Sequence, residues 1–169
     1  MPKLLSENPA DAFPLLADAM AGSLGTTGPD GPLATPVNYL FLPEHDYAAR
    51  FGGVPEAGIG GRIYIHGALS GQRHLNVAAD PRVCFNVYKL ERMLLSGDRA
   101  CDCAVRYTSA LCFGRARYVP DGELKIELLR LLSEKYMQQP VEKPETEASV
   151  ETSLLEIMVQ RVTYKSHAD

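Results

Sequence analysis

Between residues 63 and 88 the chain reads IYIHGALSGQRHLNVAADPRVCFNVY, and much of its chemistry-bearing inventory stands together there. A strand-like run ends at His66. Ser70, Gln72, Arg73 and His74 then open a short helical pattern that Asp80-Pro81 stops. A helix start exposes unpaired N–H groups and a positive dipole end, and both favour an anion. Ser70 stands where an N-cap would, Gly71 permits close approach, and Arg73 carries a fixed fork of donors that matches phosphate. SGQR thus has the chemistry of a phosphate cradle. On local chemistry alone, a capped surface helix with an exposed arginine is the commoner meaning of such a stretch. His66 alone reads as a strand histidine with its hydrogen bonds met, and His74 as a surface residue.

The elements around this stretch follow from periodicity. Residues 9–22 read as a helix opened by Asn8-Pro9, with Phe13, Leu16, Ala17 and Met20 at helical spacing. Residues 23–42 read as a hairpin turned by GPDG at 28–31. Pro36 in its second arm cannot donate to a ladder, which implies an edge, a bulge or a backbone given over to a ligand. Two stretches, about 43–61 and 89–104, read as loop insertions. Residues 105–119 form the longest strand candidate, with Val105, Tyr107, Ser109, Leu111 and Phe113 on one face and Thr108, Ala110, Cys112 and Gly114 on the other. The run from Glu123 is the clearest helix, with Asp121 as its expected N-cap and Leu124, Leu128, Leu131 and Leu132 as its stripe. Residues 139–151 read as an acidic linker, and the close of the chain as a last strand. Many strands interrupted by few helices predict a mainly β fold, an antiparallel barrel with peripheral helices, in a single domain over 1–169.

Composition narrows the function classes. Apolar residues make up 46% and charged residues 22%, ordinary for a globular protein. A formal charge of −4 offers no basic face for nucleic acid. No apolar run is long enough to span a bilayer, and acids and prolines interrupt the N-terminus where a signal peptide needs an apolar core, so the expectation is a cytoplasmic protein. Of the four cysteines, Cys84 and Cys112 fall in strand-like runs and read as small buried residues. Cys101 and Cys103 sit in a polar stretch, but no second pair or nearby histidine completes a zinc site, and no metal is expected.

Taken in order, ATPVNYLF, IYIHGALSGQRHLNVAADPRVCFNV and YTSALCFGRARYV resemble the signature blocks of the pyridoxamine 5′-phosphate oxidase-like split-barrel flavin proteins, in their nitroimidazole-resistance-like branch. The closing VQRVTYK is similar to the family's terminal strand, with Tyr164 in place of a glycine. The resemblance implies a six-stranded split β-barrel, homodimeric, with FMN at the subunit interface. It implies that Thr35, Pro36, Val37 and Asn38 lie along the isoalloxazine ring through main-chain groups, and that His66 and Gly67 end the strand beside it. Gln72 and Arg73 match the positions that take the FMN phosphate, and Ser70, at the expected N-cap, joins them as a candidate cofactor-binding residue. Tyr107 and Ser109 match the strand that reaches the flavin from the partner subunit. Gln72 replaces one of the oxidase's two cationic residues, and the chain has no tryptophan, so oxidation of pyridoxamine phosphate is not expected.

The resemblance therefore implies an FMN-dependent reductase of a small molecule, with His66 as a candidate proton donor within the ordinary range of imidazole. The alternative is a non-enzymatic flavin or haem binder on the same barrel, with His66 or His74 as axial ligand.

Overall fold

The longest predicted strand forms as such and organises the rest. The computed structural model describes residues 4–95, 103–141 and 151–167. Its elements are β1 (Leu4–Ser6), a 3-10 turn (Pro9–Ala12), α1 (Phe13–Asp18), β2 (Gly22–Gly28), β3 (Gly31–Val37), β4 (Leu40–Pro43), α2 (Glu44–Phe51), β5 (Gly61–Gly67), α3 (Gln72–Ala79), β6 (Arg82–Leu95), β7 (Cys103–Tyr118), α4 (Glu123–Met137) and β8 (Ser153–His167). The strands pair antiparallel in the order β3-β2-β6-β7-β8-β5-β4, and β1 adds to β8. This is a split barrel. Its strands number eight and not six; the two shortest, β1 on β8 and β4 on β5, account for the excess.

Alternation along β7 decides inside from outside. Thr108, Ala110, Cys112, Gly114 and Ala116 are buried, and meet Leu24, Phe85, Val87, Leu155, Ile157 and Val162 in the barrel core. Tyr107, Ser109, Leu111 and Phe113 face outward, half-buried, beside the exposed Tyr88 and Leu90 of β6. Cys112 is a core residue as its strand context implies, and burial pushes its thiol up to about 12. Cys84 is only half-buried, on the outer face. Cys101 lies outside the described residues.

Several boundaries move. The first helix is shorter than 9–22: Asn8 caps a 3-10 turn through its side chain, α1 stops at Asp18, and Ala19 is already extended. Its last carbonyls are taken by distant side chains rather than by another helical turn. Gly122 and not Asp121 occupies the N-cap of α4, because its φ of 147° is open to glycine; Asp121 accepts a 2.7 Å hydrogen bond from Lys125 instead. Leu128, Leu129 and Leu132 form the buried stripe of α4, while Leu124 is exposed. The predicted connection at 89–104 is mostly strand, since β6 runs on to Leu95 and β7 starts at Cys103.

The predicted loop at 43–61 begins as α2, and buried charge explains its order. Arg62 on β5 donates to both oxygens of Glu44 (2.8 and 2.9 Å) and to Glu156 of β8 (3.0 Å), and it lies 4.2 Å over the ring of Tyr47. Tyr64 donates to Glu156 at 2.9 Å, Arg117 pairs with the other Glu156 oxygen, and Glu56 ties the end of the segment to both Arg62 and Glu44. Burial alone would raise the carboxyl of Glu44, but hydrogen bonds from Arg62 and the Glu56 amide outweigh it and hold Glu44 below its ordinary value. Arg62, Glu44 and Glu156 are 5%, 6% and 2% exposed, so removing one partner strands the others. Arg62→Ala is expected to destabilise the fold by about 3–5 kcal/mol, measured by denaturant titration. A lowered carboxylate contributes fully above its unfolded value and is lost as pH falls through its folded one, so the wild-type advantage over Glu44→Gln should fade as pH falls below the ordinary glutamate range.

Candidate functional site

The barrel is split where β3 passes into β4. Leu40 is the last residue of β4 to pair with β5, opposite Tyr64. Beyond it the two strands part. Thr35, Pro36 and Val37 pair with Leu24, Ser23 and Gly22 of β2, and among the described residues β3 is the end of the sheet and its other edge carries no ladder. On the opposite lip, Ile65, His66 and Gly67 pair only with Leu155, Leu154 and Ser153 of β8. Pro36 thus sits on an edge strand, one of the settings a strand proline allows. Two main-chain edges leave the β4–β5 pair with their donors and acceptors available. Asn38 at the junction is exposed, and its Nδ2 donates to the Met20 carbonyl at 3.1 Å.

The lip of β5 leads into α3. Gly71 and not Ser70 is the N-cap, with a φ of 134° that a side chain would strain; Ser70 is exposed and caps nothing. Gln72 turns its amide to Asn76 Oδ1 (2.8 Å), and Asn76 in turn donates to Thr26 of β2 (3.1 Å). Gln72 therefore braces α3 against the β2–β3 hairpin. Arg73 turns the other way, across Gly67: a Cβ on Gly67 would lie 2.2 Å from its terminal nitrogen. Its Nε is buried with no hydrogen-bond partner, an arrangement that costs free energy until an acceptor arrives.

Two further residues close this pocket: Tyr118, which the sequence reading did not select, and His74, which it read as a surface residue or a haem ligand and which is half-buried here. The Tyr118 phenol at the end of β7 stands beside Arg73 and has a buried, unpartnered hydroxyl; burial pushes its pKa up, with Arg73 opposing. The His74 ring stacks on Tyr118 at 4.3 Å and 10°, and its Nε2 is likewise buried and unpartnered. Burial first, then the Arg73 charge, hold His74 below its ordinary range, so it is neutral at pH 7. Ser153 donates its single proton to the Ala68 carbonyl at 2.7 Å, with the Gly67 carbonyl 3.1 Å away, and fixes the backbone beneath Arg73. Three orphaned polar atoms and a glycine floor fit a phosphate group.

The structure gathers Gly67 and Arg73 at the lip, and leaves His66 exposed at the end of β5. Tyr107 and Ser109 are elsewhere. Nine residues of β7 separate Ser109 from Tyr118, about 30 Å of strand at the usual rise. Among the described residues no group of three or more His, Cys, Asp or Glu could hold a metal ion, and no helix is long and apolar enough to cross a membrane.

A family model described as pyridoxamine 5′-phosphate oxidase matches residues 8–166. No curated protein matches the sequence. Among solved structures, a candidate 5-nitroimidazole antibiotic resistance protein from Bacteroides thetaiotaomicron superposes with a TM-score of 0.72 at 18% identity, covering 97% of this chain and 87% of that one. The flavocytochrome Anf3 from Azotobacter vinelandii gives 0.73 at 17% identity, with 98% and 70% covered. A FAD-binding protein from Mesorhizobium loti gives 0.64 at 16%, with 99% and 100% covered. At such identities the likeness is one of fold.

Because only the mobile tip of Arg73 stands in the way, Gly67→Ala should change stability by less than about 1 kcal/mol while displacing the guanidinium. Thermal denaturation beside a titration with inorganic phosphate checks this, the expected result being an unchanged melt and weakened phosphate binding.

Proposed function

The chain belongs to the pyridoxamine 5′-phosphate oxidase family, and on that premise we propose that it is an FMN-dependent oxidoreductase that reduces a small molecule in the split of the barrel. The observation that carries this reading is the orphaned Nε of Arg73 over Gly67, at the start of α3 and beside the unpaired strand edges. Arg73 holds the phosphate, with the hydroxyl of Tyr118 and the first-turn amides of α3 as further donors. These donors stand in for the cation that Gln72 does not supply. The main chain of Thr35, Pro36, Val37 and Asn38 lies along the flavin ring, and Ser70 and Gly67 border the phosphate. Bound flavin supplies hydride and electron transfer; the protein binds it, orients it and keeps water from it. His66, exposed at the lip, is placed to hydrogen-bond flavin or substrate and to deliver a proton.

The second part of the proposal is a homodimer with the flavin between subunits. Tyr88 and Leu90 are each 53% exposed on a sheet face that also carries Leu111 and Phe113, an apolar surface of the kind that marks an interface. Some 30 Å of strand separates Ser109 from the phosphate pocket of its own chain, so Tyr107 and Ser109 contribute to a flavin most readily from a second copy. A haem bound through His74 is disfavoured, since its Nε2 is buried against Tyr118.

Purified protein, or protein given FMN, should show a two-band flavin spectrum and sediment as a dimer; a Soret band instead, or no uptake of added FMN, overturns the flavin reading, and a flavin-loaded monomer overturns the interface. Arg73→Ala should weaken FMN binding on the order of ten- to a hundredfold and leave riboflavin binding unchanged. Equal losses for the two ligands would remove Arg73 from the phosphate.

A further inference from the structure

Where β3 leaves the sheet, the backbone of Tyr39 loses its strand partner, yet Tyr39 is fully buried. Its amide cannot stay unpaired there without cost. The partner comes from α4, ninety-seven residues away in the chain. The Tyr39 N–H donates to the Tyr136 hydroxyl at 2.8 Å, and that hydroxyl places its single proton on the Met20 carbonyl at 2.7 Å, with the Tyr39 carbonyl 3.0 Å away. Lys135, the preceding residue, donates to the Ala19 carbonyl at 2.9 Å and sits 4.2 Å over the Tyr39 ring. The Tyr39 hydroxyl is itself tied to the Leu16 carbonyl at 2.7 Å, and Asn38 reaches the same Met20 carbonyl that Tyr136 holds. One phenol thus replaces a strand.

We propose that Lys135 and Tyr136 are positioning residues for the flavin ring: the last turn of α4 latches Tyr39 and the Ala19–Met20 segment, and so holds the edge of residues 35–38 apart from β5 with its main chain free for the ligand. The proposal rests on the flavin reading above. In the absence of the latch, the cheapest way to satisfy the Tyr39 amide is to extend the β4–β5 ladder past Leu40 and Tyr64, which zips the split closed. The latch acts on the ring side and not on the phosphate side, so its loss has a signature opposite to that of Arg73.

The test titrates wild type, Tyr136→Phe and Lys135→Met with FMN and with riboflavin, recording the bound flavin's absorption band and the melting temperature. The expected result for Tyr136→Phe is a rise in Kd on the order of tenfold for FMN and riboflavin alike, with a shifted absorption band. Lys135→Met, which keeps the phenol, should show the same equal loss at smaller size, and it stands in should Tyr136→Phe fail to fold. Affinities and band unchanged in both variants overturn the latch, as does a loss confined to FMN. Wild type that binds neither flavin overturns the functional reading itself, and the latch with it. Amide exchange supplies an arm independent of ligand: as the ladder extends past Leu40 and Tyr64, residues 38 and 66 at the split should gain protection in Tyr136→Phe over wild type, and unchanged protection there overturns the latch.

Discussion

A backbone amide that leaves a sheet must be satisfied somewhere else, and this structure is arranged around the place where that happens. The β4–β5 ladder ends at Leu40 and Tyr64, and from there the chain continues in two directions, as β3 along β2 and as the end of β5 along β8. Everything of chemical interest lies on the two lips so created. The phenol of Tyr136 meets the amide of Tyr39 at the fork, and Ser153 meets the carbonyls of Gly67 and Ala68 on the far lip. Among the described residues no ladder joins the edges between.

Two arginines a few residues apart on the chain show opposite treatments of charge. Arg62 is buried and fully partnered, held by three glutamates and stacked on Tyr47, and it joins α2, β5 and β8. Its charge is spent on architecture. Arg73 is half-buried with an unpartnered Nε and lies on a glycine and a phenol whose own hydroxyl is unpartnered. A buried donor without an acceptor destabilises the empty protein, and the same deficit favours whatever anion supplies the acceptor. The contrast sets a cation spent on structure beside one whose buried donor is left unspent.

Much of the fold was legible from residue order. The alternation of β7 and the β2–β3 turn identify strands by period and turn chemistry, and Pro36 announces an edge by lacking a donor. Less legible were the ends of elements. The stretch 9–22 reads as one helix because its apolar spacing is helical, yet it breaks at Ala19 because Lys135, Tyr136 and Asn38 claim the next carbonyls. The segment after Pro43 reads as a loop because α2 is short and polar; Glu44 is ordered by an arginine eighteen residues on and by the amide of Glu56.

The sequence by itself determined the chemistry at the mouth of α3: a glycine for close approach, an arginine with a phosphate-shaped fork, and an edge proline, each a property of one residue and its neighbours. Only the tertiary structure decided which of those groups are free. Gln72 is spent on Asn76, Arg73 is not spent, and Tyr118, His74 and Tyr136 enter the site from strand and helix ends whose local pattern gives no sign of it. Local chemistry depends on side-chain type, but availability depends on what long-range pairing has already used, and pairing across ninety residues leaves no mark in spacing.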